Sequence, residues 1–342
     1  MATGRRSRTG RTVAAGIAVA GAVGLGLLAA PAGAGAQPQL PPVEPEELVR
    51  SVLAADPVPF GGTAELDNAL GLPALPGVPQ AADGTSTARI WSDGADRGRV
   101  QLPTESGERT LVSDGETFWA WNSADRTVIR VPEGERHEQD APGADPSAAA
   151  TEALAALRPT SDIRVDGTAE VAGRPAYELV LAPKSSERTL LREVRVAVDS
   201  EHRMPLRLTV LATGSSEPAL QVGFTDIEFG PQDPELFTFT PPPGATVEEP
   251  QRHEGHPDGP SGDAEPTVVG DGWDTVLVTD APAEGDRPEG APDLSQLGSP
   301  ISGPWGSGRL IGTAVANVIV TDDGRVAAGA VPEQVLTEAL AR

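Results

Sequence analysis

The chain has 342 residues, with 50 acidic side chains against 26 basic ones and a formal net charge of -24. A chain this acidic repels phosphate, which excludes nucleic acid as a working partner. It contains no cysteine, so disulfides, thiolate metal sites, cysteine nucleophiles and an acylated cysteine are excluded, and stability must come from core and sheet. Hydrophobic residues at 38% with 39 Gly and 34 Pro suit a folded chain with long connections.

Residues 1–36 read as a signal peptide. Arg5, Arg6, Arg8 and Arg11 precede an Ala/Gly/Val/Leu run from Val13 to Ala30, and Ala34-Gly35-Ala36 supplies small residues for cleavage near Ala36. The alternative is an uncleaved amino-terminal anchor, and Arg5-Arg6 leaves both general and twin-arginine export open. Either way the expectation is an exported, extracytoplasmic protein.

Residues 42–55 predict a helix, with Pro45 in the first turn, Glu44, Glu46 and Glu47 at the positive dipole end, and Leu48, Val49, Val52 and Leu53 as its apolar stripe. Gly61 to Gln80 is read as a loop over apolar surface. From 85 to 131 the period becomes two, in segments near 85–92, 98–103, 108–113, 116–121 and 126–131, separated by Asp93-Gly94, Asp114-Gly115 and Ser123-Ala124-Asp125. Asp145-Pro146 predicts a helix from Ser147 to Arg158, and strands resume near 162–171, 174–182, 190–199, 205–212 and 219–229. Short spacings favour antiparallel hairpins. Residues 241–270 and 281–292 read as linkers. A strand from Leu310 to Val320, a turn at Asp322-Asp323-Gly324, a strand from Arg325 to Val331 and a helix from Pro332 form a carboxy-terminal hairpin-helix unit that must dock on something. The expected domains are thus 37–244, a linker 245–292 with an apolar element near 273–278 of undecided type, and 293–342.

The four histidines, His137, His202, His253 and His256, do not assemble with any nucleophile motif, and no G-x-S-x-G, H-E-x-x-H, P-loop or dinucleotide fingerprint occurs. His253 and His256 lack a third ligand, and His202 lies in a polar turn. Fifty acids always supply candidate carboxylate pairs, but nothing singles one out. No enzyme, metal or cofactor is expected. The informative residues are apolar. Trp119 and Trp121 share one strand face; Tyr177, Leu179 and Leu181 another; Val194, Val196 and Val198 a third; Leu206, Leu208 and Val210 a fourth. One reading is ordinary core beneath the two helices. The other is an incompletely filled pocket for an acyl chain, with Trp91, Trp119 and Trp121 as aromatic walls.

Glu108-Arg109-Thr110-Leu111-Val112-Ser113-Asp114-Gly115-Glu116-Thr117-Phe118-Trp119-Ala120-Trp121, then Thr127-Val128-Ile129-Arg130, resembles the strand-Asp-Gly-strand and Trp-x-aromatic segment of LolA-like lipoprotein carriers and RseB/MucB-like sigma-factor regulators. Val171 to Leu179, Val196-Ala197-Val198-Asp199, Met204-Pro205-Leu206-Arg207 and Phe237 to Ala245 extend that resemblance over residues 42–250, in what looks like an actinobacterial branch. It implies a mainly β fold: an open, curved antiparallel half-barrel with a helical lid, binding acyl chains of lipids or lipoproteins. It shifts the balance toward the pocket. The RseB-like members add a second small domain that contacts a membrane anti-sigma factor, the alternative partner here. Fold analogy is the warrant for both functions.

Overall fold

The computed structural model describes residues 38–72, 83–104, 106–132, 154–249, 266–281 and 297–342. The expected signal peptide, the Leu/Pro-rich stretch 73–80, the first part of the expected helix 147–158 and the centre of the linkers lie outside those residues. Among the described residues, no helix is long and apolar enough to cross a membrane.

Helix α1 is Pro45–Leu53, with proline in its first turn, Glu46 and Glu47 beside the positive dipole end and Leu48 fully buried. Twelve strands then form one sheet: β1 Phe60–Asn68, β2 Gly84–Ser92, β3 Arg97–Thr104, β4 Gly107–Asp114, β5 Thr117–Asn122, β6 Thr127–Pro132, β7 Ser161–Val171, β8 Arg174–Pro183, β9 Leu191–Asp199, β10 Pro205–Ala212, β11 Pro218–Phe229 and β12 Thr246–Glu248. Their spatial order is β12-β6-β5-β4-β3-β2-β1-β11-β10-β9-β8-β7, so the sheet is open, with β12 and β7 at its edges. Residues 154–157 are helical.

The sheet is bent. Three strands separate β7 from β11, which in a flat sheet would place them about 19 Å apart, yet their Cα atoms approach within 8 Å. Register shifts at Thr63/Ala64, Pro205/Arg207 and Val165/Thr168 mark where the strands bend.

Three expectations are corrected and one open element is resolved. The loop expected from Gly61 is, up to Asn68, strand β1 in the middle of the sheet, between β2 and β11. Its glycines are there for close approach rather than for a turn: a Cβ on Gly62 would lie 2.6 Å from the Asp226 carbonyl oxygen, and one on Gly61 2.6 Å from the Gln232 amide. The stretch 241–270, expected as linker, carries β12, which pairs in parallel with β6, and strand β13, Thr267–Val269. The undecided element near 273–278 becomes a one-turn 3-10 helix, Gly272–Asp274, followed by strand β14, Val276–Asp280. The expected single strand from Leu310 to Val320 is two. Strands β16, Gly306–Gly312, and β17, Asn317–Thr321, are joined by a turn in which the Thr313 hydroxyl accepts from the backbone of Ala316 at 2.9 Å. That hydroxyl replaces the glycine or asparagine a turn usually displays.

The hairpin-helix unit is present inside a larger six-stranded sheet ordered β13-β14-β18-β17-β16-β15, with β15 Ser299–Gly303 and β18 Arg325–Gly329. Helix α2, Glu333–Leu340, covers one face, where Val276, Ile319, Ala327, Val335 and Leu336 form a core of their own. The joint to the larger sheet is polar. Leu190 N–H donates to the Ala330 carbonyl (2.9 Å), Trp273 Nε1 to Ser161 Oγ (2.7 Å), and Arg188 pairs with Glu338 (2.7 Å) and Asp274 (3.2 Å).

Candidate functional site

Cross-strand partners share a sheet face, so the register assigns every predicted side chain. Leu179, Val196, Leu208, Val222 and Leu66 stand side by side across β8, β9, β10, β11 and β1. A second row, Leu181–Val194–Val210–Leu220, runs next to it, and Tyr177 faces Val198 at its other flank. Six expected residues, Tyr177, Leu179, Val194, Val196, Val198 and Leu208, therefore meet on one face.

At the β7–β9 side this face is closed. Leu48 of α1 packs on Tyr177, Leu179 and Val198, with Leu40, Val43, Val49 and Val52 beside it, and Tyr177 Oη donates to the Pro41 carbonyl at 3.0 Å. Towards β10 and β11 the cover thins: among the described residues Val194, Leu208, Val210 and Leu220 stay only half-buried. Sequence reading missed Val222, Leu220 and Leu66. Leu66 sat in a stretch read as loop; the other two carried the same alternation and could have been found. Leu206 is the extra residue of the Pro205/Arg207 register shift and is buried in the adjoining cluster of Phe60, Ala64, Ile90 and Phe224, against which Leu66 also packs.

The three tryptophans lie elsewhere. Leu66 pairs with Ser86 on β2, and Ser86 shares its face with Ile90, so Trp91 points to the opposite side. From Trp91 a row runs through Arg99, Val112, Trp119 and Arg130 across β2 to β6, with Trp121 on the same face. The chain's own strap, residues 230–249, crosses this face. Phe237 is buried beneath it, 5.4 Å from the Arg97 guanidinium; Phe239 packs on Trp119 at 5.6 Å; and Arg99 Nη1 donates to the Leu236 carbonyl at 3.2 Å. Trp119 Nε1 donates to Asp114 Oδ2 at 3.0 Å. Burial raises the Asp114 carboxyl, but this indole and the N–H groups of Glu116 and Thr117 outweigh it and hold it below the ordinary range. Tryptophans and aliphatic rows cannot line one cavity, because the sheet separates them.

His202 stacks on Phe229 at 4.1 Å in the polar turn after β9, while His137, His253 and His256 lie outside the described residues.

No protein-family model matches the sequence, and a search of curated proteins returns no match. Solved structures similar to this chain include the Pseudomonas aeruginosa MucA/MucB complex, at 17% identity and TM-score 0.45, covering 86% of this chain and 94% of that one. A LolA-superfamily protein of Nitrosomonas europaea is similar at 12% identity and TM-score 0.25, over 58% and 99% of the two chains. Mycobacterium tuberculosis lipoprotein LppX is similar at 8% identity and TM-score 0.30, over 53% and 92%.

Proposed function

We propose that this protein is an exported, non-enzymatic binding protein that holds an acyl chain, or a hydrophobic segment of a lipid or lipoprotein, against the aliphatic face of the large sheet. The observation that carries the reading is the double row Leu179–Val196–Leu208–Val222–Leu66 and Leu181–Val194–Val210–Leu220. It is apolar across five strands, it is sealed by α1 at one side, and beyond β9 Leu208, Val210 and Leu220 stay half-buried beside the buried Val222 and beside Leu66, which packs against the Phe60 cluster. Aliphatic side chains on a sheet bind hydrocarbon through area removed from water, about 25 cal/mol per Å², with no directional chemistry required. Tyr177, Leu179, Val194, Val196, Val198 and Leu208 are the proposed contact residues. Trp91, Trp119 and Trp121 stand on the opposite face, where Phe239 of the strap packs on Trp119. Native mass spectrometry of the mature protein tests the reading: retained lipid is expected, and only apo protein, with no uptake of an added fatty acid, contradicts it.

A second reading, an envelope-stress regulator that docks on a membrane anti-sigma protein, has one observation in its favour. On the face of the smaller sheet away from α2, Val268, Leu277, Ala328, Val318 and Ile311 form a cross-strand row. Val268 and Leu277 are about half exposed, an arrangement typical of contact surfaces. Pull-downs comparing the full chain with a Leu277→Asp variant decide it: recovery of a single-span partner only by the wild type supports docking, and equal recovery removes this face from the mechanism.

A further inference from the structure

Between the strap and strands β2 and β3 lies a groove of about 370 Å³, lined by Arg89, Trp91, Arg99, Gln101, Asp233, Glu235 and Leu236. It is on the sheet face opposite the aliphatic rows and is independent of the acyl-binding reading. Its floor is a two-by-two tile set by the register: Arg89 faces Gln101, and Trp91 faces Arg99. The strap forms the other wall, where Asp233 caps the short turn Pro234–Phe237 by accepting from Glu235 N–H at 2.9 Å.

The charges in this groove are unspent. Other arginines on this sheet face are paired, Arg97 with Asp93 at 2.6 Å and Arg130 with Glu249 at 2.7 Å. The Arg89 side chain forms no ion pair or hydrogen bond with a described residue, in a chain that holds 50 acids. Arg99 is anchored to the strap through Nη1, has no carboxylate partner among the described residues, and its shielded Nε donates to nothing. Across the groove the Glu235 side chain is likewise unpartnered among the described residues. The groove thus carries two guanidiniums and two carboxylates that form no ion pair with one another, together with Trp91 and Leu236.

We propose that this groove binds a small zwitterion: its anionic group between the guanidiniums of Arg89 and Arg99, its ammonium toward Asp233 and Glu235, and its apolar body over Trp91. Guanidinium forks suit carboxylate and phosphate alike, and an ammonium near an indole gains cation–π attraction. A free apolar amino acid supplies all three parts, and a phosphoethanolamine headgroup supplies the two charges.

Calorimetric titration of the mature chain separates the sources. L-Phenylalanine, its N-acetyl and amide derivatives, and phosphoethanolamine are the probes. Saturable binding of at least one zwitterion is expected, and tighter binding of one identifies the source. If phenylalanine is that ligand, each capped form should bind about tenfold more weakly, the loss expected for one charge-assisted contact. Arg89→Gln and Glu235→Gln, exposed side chains whose loss leaves the fold intact, should each weaken binding about tenfold as well. Absence of saturable binding by either zwitterion up to about 10 mM, capped forms binding as well as phenylalanine, or unchanged affinity in both variants overturns the proposal.

Discussion

Asp199 is a carboxylate with no solvent exposure, and its surroundings show what single residues contribute here. Arg174 grips it with two hydrogen bonds, 2.9 and 3.1 Å, and Glu201 N–H donates to it at 3.0 Å, as does His202 N–H at 2.6 Å. Burial raises its pKa, but Arg174 and the two backbone donors outweigh that, so it stays below the ordinary range. Its folded pKa is therefore depressed. The contribution is fully present above the unfolded value near 3.9 and is lost as pH falls below it toward the folded value. Arg174→Ala should cost about 2–4 kcal/mol at neutral pH, because a buried charge loses its partner. Urea titrations at pH 7 and pH 3 should show that gap narrowing in acid; an equal gap at both would assign the loss to packing. The turn Asp199-Ser200-Glu201-His202-Arg203 was legible in the sequence as polar punctuation. The burial of its first carboxylate was not, since local pattern carries no information about a partner 25 residues away.

At the scale of elements, strands bounded by Asp-Gly turns were legible because period two and turn chemistry coincide. Strand β1 was not, because its Gly61-Gly62 imitates a breaker while serving close packing. The strap was hidden for another reason: Pro241-Pro242-Pro243-Gly244 reads as linker, and the cover it provides depends on Phe237 and Phe239 meeting side chains over a hundred residues away. Phe237 is about 1% exposed, so Phe237→Ala should destabilise by about 3–5 kcal/mol, the range for emptying a buried phenylalanine site. It should also free β12. Hydrogen exchange reads the latter at Thr246, whose N–H donates to the Arg126 carbonyl at 2.9 Å. Faster exchange there with unchanged protection in β9 and β10 is expected; uniform loss of protection would mean that strap and sheet unfold as one unit. In β17, Ile319 is fully buried beneath α2, and slow amides at 317–321 are expected even when the joint to the larger sheet is open.

For the molecule as a whole, the two sheets have separate cores and a charged joint. Arg188 bridges Asp274 and Glu338, and hydrogen bonding to Arg188 holds the Glu338 carboxyl below its usual range. Exposed ion pairs are screened by salt. Arg188→Glu, or salt near 1 M, where the screening length shrinks to about 3 Å, should loosen the joint and enlarge the radius of gyration by small-angle scattering while each sheet keeps its circular-dichroism signal. An unchanged radius would show that the Leu190 N–H and the Thr189 hydroxyl, both donating to the Ala330 carbonyl, and the Trp273 indole on Ser161 hold the sheets without the charges. The sequence disclosed that an apolar face exists. It could not choose between the aliphatic rows and the tryptophans, because alternation defines two faces on each strand and only register across strands says which belong together. Titration of the mature protein with a fluorescent fatty acid, comparing wild type with Leu208→Asn and Trp121→Ala, tests whether the aliphatic rows of β8 to β1 bind hydrocarbon. Saturable binding that Leu208→Asn weakens and Trp121→Ala leaves intact is predicted. Binding abolished by the tryptophan change and untouched by the leucine change would place the ligand on the other face and contradict the account.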